Sequence, residues 1–531
     1  MTSRARGTVA ILAAAIVLSL GLRTWGVTQL RGYSHDGVIS FLAATANQQR
    51  WAEHQARLEA PFAQWTPAAQ WRELMLEIHE DASLRRIATD LTREDTHPPL
   101  YFWALHYAVR AWGIHPRTGA LIDMPVTVLA VLALYALART AGMRADRAAL
   151  VALVWGVSMG AVTASWDARQ YGLFTLLGVL FAWMLLLNLD ERDGARPLRA
   201  VGLAAVTAAG MLTHYYFATV ISSGLLAVLI VRAAPHRRRL AQIGLSVLAG
   251  ALAMMVVHPG FMRSVLMGDE IAGTLGRDTL AHRLYVLGWT TGQFVTVSRR
   301  FAAAAVALVI AGLIVALIAR ADLRAWLAAA WREAGLSLRV LLLTGGLLMV
   351  TTWVFLFKLS PPVANAARYM APVWPFVALA AVYLLDRVAG GRRRWLLAAL
   401  PLLLIAMTTM AAVRNQGGPF RPMIPTDLLA AAERAVTDTA MRGAVVRLAL
   451  LAPPEMLIFS APQERLIDRP EEWLPELERG DLVVSQIVRG NTSERRLRLE
   501  ELLAEEYEFA MVIGTSSSDD HLVVYEVRGE R

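Results

Sequence analysis

The sequence predicts an all-α polytopic membrane protein, with about eleven transmembrane helices and interfacial helices, followed by a small extracytoplasmic α/β domain. Three observations predict it. Apolar residues gather in blocks of membrane-spanning length, arginines gather in alternate loops between those blocks, and the composition turns mixed and polar after about residue 414. The 531 residues are 56% hydrophobic and only 18% charged, with a mean hydropathy of +0.44. A soluble domain is roughly a quarter charged, so disorder and a single water-soluble domain are both excluded. The net charge of +9 is spread over short loops rather than one basic face, which argues against nucleic acid as a partner. Absence of cysteine excludes disulfides and thiolate metal sites.

A spanning helix needs roughly 20 apolar residues. Eleven blocks qualify, near 8–28, 118–138, 148–164, 171–189, 198–213, 217–233, 240–258, 301–319, 340–357, 369–386 and 395–413. The first follows Arg4 and Arg6 and lacks a small-x-small cleavage site, so it reads as an anchor. With the N-terminus inside, the inner loops carry Arg139, Arg144 and Arg147, then Arg192, Arg196 and Arg199, then Arg237, Arg238 and Arg239, and last Arg392, Arg393 and Arg394. That bias sets the orientation and places the tail outside. Residues 98–113, PPLYFWALHYAVRAWG, contain His106 and Arg110 and read as an amphipathic helix in the outer interface. Two outer loops are long, 31–117 within the 1–413 membrane domain and 259–300 with Asp269, Glu270 and Asp278. In the tail, 414–531, PTDLLAAAERAVTD and SERRLRLEELLAEEY read as helices, and AVVRLALLA, DLVVSQIV, EFAMVIG and HLVVYEV as strands.

Unusual polar residues collect at the outer ends of the spans. His35 and Asp36 follow the first, Asp95 and His97 precede the interfacial helix, and Asp167 and Arg169 end the third. His214, Tyr215 and Tyr216 end the fifth, while Lys358, Arg368 and Tyr369 bracket the ninth and tenth. Ionisable groups at such depth are costly unless used or paired, and under this topology all share one membrane face. Structural readings stand beside the functional ones. Asp95 reads equally as a helix N-cap, His97 as a brace before two prolines, Tyr215 and Tyr216 as an aromatic belt, and Lys358 and Arg368 as snorkelling cations. The sequence has no phosphate-binding G-x-x-x-x-G-K-[ST] loop, H-E-x-x-H or G-x-S-x-G motif.

The segments SHDGVISFLAA, DTHPPLYFWALHYAVRAWG, ARQYGLFTLLG, HYYF and ARYMAPVWPFVAL occur in this order over residues 1–413. Together they resemble the GT-C fold polyprenyl-phosphate-sugar transferases of glycosyltransferase family 39, the protein O-mannosyltransferases and lipid A aminoarabinose transferases. The tail resembles no family. The resemblance implies that Asp36 is the carboxylate of the first outer loop, near the donor phosphate and the acceptor. The family usually has Asp-Glu there, whereas this chain has Asp36-Gly37, which weakens the expectation of a divalent metal such as Mg or Mn. Asp95 is the candidate second carboxylate and, with Asp36, the candidate ligand for any such metal.

The implied function is an integral membrane glycosyltransferase of the inner or plasma membrane. It moves a sugar from a polyprenyl-phosphate donor to an extracytoplasmic protein, lipid or glycan acceptor by inverting single displacement. Asp36 is the candidate base, with Asp95 the other catalytic candidate. Arg169, Lys358, Arg368 and His214 are candidates for the donor phosphate, and His35, His97, Tyr171, Tyr215, Tyr216 and Tyr369 for substrate contacts. The rival expectations are a lipid-linked sugar flippase, which needs polar residues at mid-membrane depth and on both faces, and a non-catalytic subunit of a cell-envelope complex.

Overall fold

The apolar blocks fold as helices close to where the sequence puts them. The computed structural model describes residues 2–29, 35–50, 66–67, 77–115, 117–166, 168–190, 197–232, 237–263, 279–295, 321–359, 367–389, 395–413, 447–450, 463–466, 477–486, 492–513 and 522–531. The candidate span 301–319, the tail segment PTDLLAAAERAVTD and the candidate residues Asp167, Asp269, Glu270 and Asp278 lie outside the described residues. The chain forms two compact units, one of Met1–Thr28, Leu91–Ala104 and Gly119–Phe420, the other of Gln29–Asp90, Leu105–Thr118 and Arg421–Arg531.

The helices, in chain order, begin with α1 (Ser3–Gln29), α2 (His35–Ala44), α3 (Leu84–Glu94), α4 (Leu100–Trp112) and α5 (Thr118–Thr140). Then come α6 (Ala145–Val157), α7 (Met159–Thr163), α8 (Tyr171–Leu189), α9 (Pro197–Thr213), α10 (Phe217–Val231) and α11 (Arg237–Val257). The last in the membrane part are α12 (Leu280–Gly292), α13 (Ala321–Glu333), α14 (Leu336–Leu359), α15 (Trp374–Ala389) and α16 (Trp395–Val413). Among the described residues five helices are long and apolar enough to cross a membrane: Ala5–Thr28, Thr118–Thr140, Tyr171–Leu189, Arg237–Val257 and Leu336–Lys358. Pro197–Thr213, Phe217–Val231 and Trp395–Met410 are shorter apolar helices. On α11, Leu245, Leu248, Leu252 and Val256 recur every three or four residues and are each more than half exposed. Such an apolar face suits lipid tails rather than water. Opposite faces form a continuous core that includes Leu134, Val151, Phe174, Phe217, Leu348 and Trp374.

One predicted span is broken. The block 148–164 is two helices, because Ser158 is extended (φ −68°, ψ 143°), with its Oγ donating to the Trp155 carbonyl at 2.7 Å. A serine that bonds a nearby carbonyl competes with the helical ladder. A break inside an apolar unit frees carbonyls that need new donors. The Arg23 guanidinium supplies them. Nη1 donates to Ser19 and Gly156 carbonyls at 3.1 and 3.0 Å, and Nη2 to Ala161 at 2.8 Å. Thr408 Oγ1 donates to Val157 at 3.0 Å. Arg23 is 1% exposed and feels the charge of Asp123 on α5. Glycine sets the next contact. A Cβ on Gly160 would lie 2.4 Å from the Trp374 indole nitrogen, so α7 meets the start of α15 only because position 160 has no side chain.

The second unit holds α2 together with part of α4, where the His106 Nδ1 atom is hydrogen-bonded to the Ala44 carbonyl at 2.8 Å. It also holds a six-stranded sheet in the order β1-β3-β2-β4-β6-β5. The strands are β1 (Thr66–Pro67), β2 (Arg447–Leu450), β3 (Gln463–Leu466), β4 (Leu482–Gln486), β5 (Tyr507–Ile513) and β6 (Leu522–Glu530). β2 runs parallel to β3 and β4, whereas β4, β5 and β6 form antiparallel pairs. β1 comes from the segment between α2 and α3 and pairs antiparallel with β3, a pairing between segments some 400 residues apart that no local pattern announces. Helix α17 (Thr492–Glu506) contributes Leu503 to a small core with Leu477, Val483, Tyr507, Tyr525 and Val527.

Replacing Arg23 should expose the cost of the broken helix. Arg23→Ala is expected to lower thermal stability in detergent by about 3–5 kcal/mol, the cost of breaking a buried charged network. Arg23→Lys should lose less, because it keeps the charge but reaches fewer carbonyls. Equal losses in the two variants would assign Arg23 a packing role alone.

Candidate active site

Four separate stretches of the first unit deliver polar side chains to one aromatic cluster. The first is the turn between α3 and α4. Pro98 and Pro99 cannot extend α3, so the chain turns at Asp95. Its Oδ1 accepts from the Thr96 backbone N–H at 2.6 Å and from the His97 Nδ1–H at 2.5 Å. Asp95 is 9% exposed. The pair has the form in which a carboxylate orients an imidazole.

The second stretch, Arg169-Gln170-Tyr171, begins α8. Arg169 is buried, and a helix N-terminus favours anions through its unpaired N–H groups and dipole. The third is the turn His214-Tyr215-Tyr216 between α9 and α10. The fourth is a 3-10 turn, Ala367–Met370, ahead of α15. It carries Arg368, whose guanidinium carbon lies 5.8 Å over the Tyr171 ring, and Tyr369.

His214 is the hub. Its ring centroid lies 6.1 Å from His97, 5.8 Å from Tyr171, 5.2 Å from Phe174, 6.3 Å from Tyr216 and 5.9 Å from Tyr369. Tyr369 also meets Tyr171, Tyr216 and Phe355 at 6.5, 5.7 and 5.0 Å. The Tyr216 N–H donates to His214 Nδ1 at 3.2 Å. Burial, reinforced by the neighbouring His97 and Arg169, lowers the His214 pKa to about 3. The imidazole is therefore neutral at physiological pH, and because Nδ1 is an acceptor its proton sits on Nε2. That N–H is buried and has no hydrogen-bond partner among the described residues. Burial raises the Tyr216 phenol to about 12, against the opposing hydrogen bonds to Thr352 and Thr219, and its hydroxyl donates to Thr352 Oγ1 at 2.9 Å.

Of the sequence candidates, Asp95, His97, Arg169, Tyr171, His214, Tyr216, Arg368 and Tyr369 come together here. Tyr215 turns elsewhere, with its hydroxyl hydrogen-bonded to His258 Nε2 at 2.9 Å and the two rings stacked at 17°. Lys358 is exposed near the end of α14. His35 and Asp36 begin α2 in the second unit; Asp36 is half-buried, and its carbonyl accepts from Ser40 Oγ at 3.0 Å. Phe174 and Phe355 were not candidates, since each stands in an apolar run; the helical spacing of Phe174 from Tyr171 was the available signal. Among the described residues no group of three or more His, Asp or Glu side chains converges as a metal site.

The sequence family described as dolichyl-phosphate-mannose-protein mannosyltransferase matches residues 96–262, about a third of the chain, running from the His97 turn past the His214 turn. The fold is similar to the crystal structure of ArnT from Cupriavidus metallidurans in the apo state, at 13% identity and a TM-score of 0.54 over 99% of this chain and 98% of that one. The chain has a membrane-embedded GT-C fold. The structure of the same ArnT bound to undecaprenyl phosphate is similar at 12% identity and a TM-score of 0.51, covering 97% of each chain. No curated protein sequence matches. The helical GT-C fold expected from the ordered segments holds.

The depressed His214 pKa makes a signed prediction. Below about pH 6.5 the unfolded chain binds a proton at this imidazole and the folded chain does not. This group's contribution to stability is therefore complete above pH 6.5 and is lost as pH falls towards 3. His214→Asn, which cannot protonate, should flatten that part of the thermal stability profile between pH 6.5 and 4. An unchanged slope would mean that His214 is already charged in the folded protein.

Proposed function

We propose that the chain is a membrane glycosyltransferase, one that takes its sugar from a polyprenyl-phosphate carrier and passes it to an extracytoplasmic acceptor by inverting single displacement. The convergence of Arg169, Arg368 and His214 in one aromatic-lined cluster carries this reading. The acceptor oxygen attacks the anomeric carbon, the bond from that carbon to the phosphate oxygen breaks, and the acceptor proton passes to a carboxylate, for which Asp36 is the candidate. The phosphate changes from a singly charged diester to a doubly charged monoester. Cations beside it therefore stabilise the transition state more than the bound donor, which is how binding groups accelerate a reaction. Arginine's planar fork suits phosphate oxygens in a partly dry site, and the neutral Nε2–H of His214 adds a donor without competing for protons. The aromatic rings give the carrier's first isoprene units and the sugar apolar surfaces. The structural likeness to an ArnT that holds undecaprenyl phosphate supports a lipid-phosphate donor.

Purified protein in lipid, incubated with a panel of undecaprenyl-phosphate sugars and cell-envelope extract, should consume at least one donor. Arg368→Ala should lower kcat/KM by about 100- to 1000-fold, as loss of one transition-state donor does, and Asp36→Asn by about 100- to 10,000-fold, as loss of a general base does. Full activity of Asp36→Asn would remove that residue from the chemistry, and no consumption of any donor would remove the reading itself.

The reading also orients the chain, with its N-terminus cytoplasmic and the active site and tail outside the inner or plasma membrane. The cysteine-free sequence makes this directly measurable. A cysteine replacing Glu530 should react with an impermeant maleimide in intact cells or spheroplasts, and one replacing Arg144 only after lysis. The reverse pattern would invert the topology.

A further inference from the structure

Gln170 stands between two site residues and was not among the sequence candidates, yet it carries an unusual burden. It is 0% exposed, and neither its amide nitrogen nor its carbonyl oxygen has a hydrogen-bond partner among the described residues. Buried polar groups are nearly always paired, and an unpaired one destabilises the folded chain. A ligand that binds the protein is one way in which such a group is completed. Gln170 has helical geometry (φ −70°, ψ −1°) at the start of α8, and the Phe174 N–H donates to its carbonyl at 2.8 Å. Its side chain therefore lies one turn before Phe174 on the same helix face. Phe174 on that face lies 5.2 Å from the His214 ring, whose Nε2–H is likewise buried and without a hydrogen-bond partner among the described residues.

The two groups differ in chemistry. The His214 Nε2–H only donates, which matches a phosphate oxygen. A carboxamide offers two donors and an acceptor. A phosphate diester has no hydrogen to give its carbonyl, whereas a sugar hydroxyl both accepts and donates. Resting on the function proposed above, we propose that Gln170 is a specificity-determining residue that reads a hydroxyl of the donor sugar, with the phosphate held by the neighbouring cations and His214.

The test compares the wild type with Gln170→Met, which keeps volume and loses both polar atoms, and Gln170→Asn, which withdraws the carboxamide by one methylene. Each full-length protein in lipid is given undecaprenyl phosphate, an undecaprenyl-phosphate sugar consumed by the wild type, and deoxy analogues of that sugar lacking one hydroxyl at a time. Gln170→Met should hold its Tm at or above wild type, bind undecaprenyl phosphate normally, and lose about 10- to 100-fold in kcat/KM for the full sugar. One deoxy analogue should be poor for the wild type and no worse than the full sugar for the variant. Wild-type discrimination among the analogues in Gln170→Met would overturn the assignment. So would a lowered Tm in both variants with equal loss of undecaprenyl phosphate binding, since that marks a packing role. A wild type that neither binds undecaprenyl phosphate nor consumes any donor overturns the proposed function as well, whereas an active wild type with an indifferent Gln170→Met overturns this inference alone.

Discussion

Inside an apolar helical unit every backbone carbonyl needs a donor, and water does not supply one. Much of the first unit can be understood from that constraint. The chain leaves the helical ladder at Ser158, and Arg23 and Thr408 donate to the carbonyls of Gly156, Ala161 and Val157 around the break. A guanidinium has five N–H donors in a fixed plane, so one side chain serves three carbonyls and ties α1 to both halves of the broken helix. The same break brings Gly160 against Trp374, at the start of the helix that follows the Arg368-Tyr369 turn.

The cluster gathers charge without scattering it bare through an apolar interior. Arg169 is buried and Arg368 is half-buried over the Tyr171 ring. An aromatic face stabilises a cation at little cost in competing hydrogen bonds. His214 complements them as a neutral donor, because burial and two neighbouring basic groups keep it from protonating. Asp95 is spent on His97 and the turn that carries it, an arrangement that holds the imidazole in one orientation. The second unit follows different physics. Its sheet buries a small core, and the pairing of Thr66–Pro67 with Gln463–Glu464 makes the first loop and the tail parts of one folded body.

The sequence by itself determined the helices and the choice of polar residues. Apolar runs of spanning length admit few alternatives, so Tyr171–Leu189 and Trp395–Val413 begin and end where the composition changes. Polar residues at span ends are costly enough to stand out, which made His97, Arg169, His214 and Arg368 legible. Tertiary structure alone decided which of them meet. Tyr215 and Tyr216 are adjacent in sequence, yet one turns to His258 and the other into the ring cluster, because side-chain direction in a turn is set by packing partners that the local sequence does not encode. Phe174 and Phe355 were hidden in apolar runs, and Gln170 looked like an ordinary residue at a helix start until its burial without a partner was visible. The break at Ser158 was hidden for the same reason. A serine in an apolar helix is unremarkable until an arginine from another helix arrives to satisfy the carbonyls it releases, and that arrival is a property of the fold.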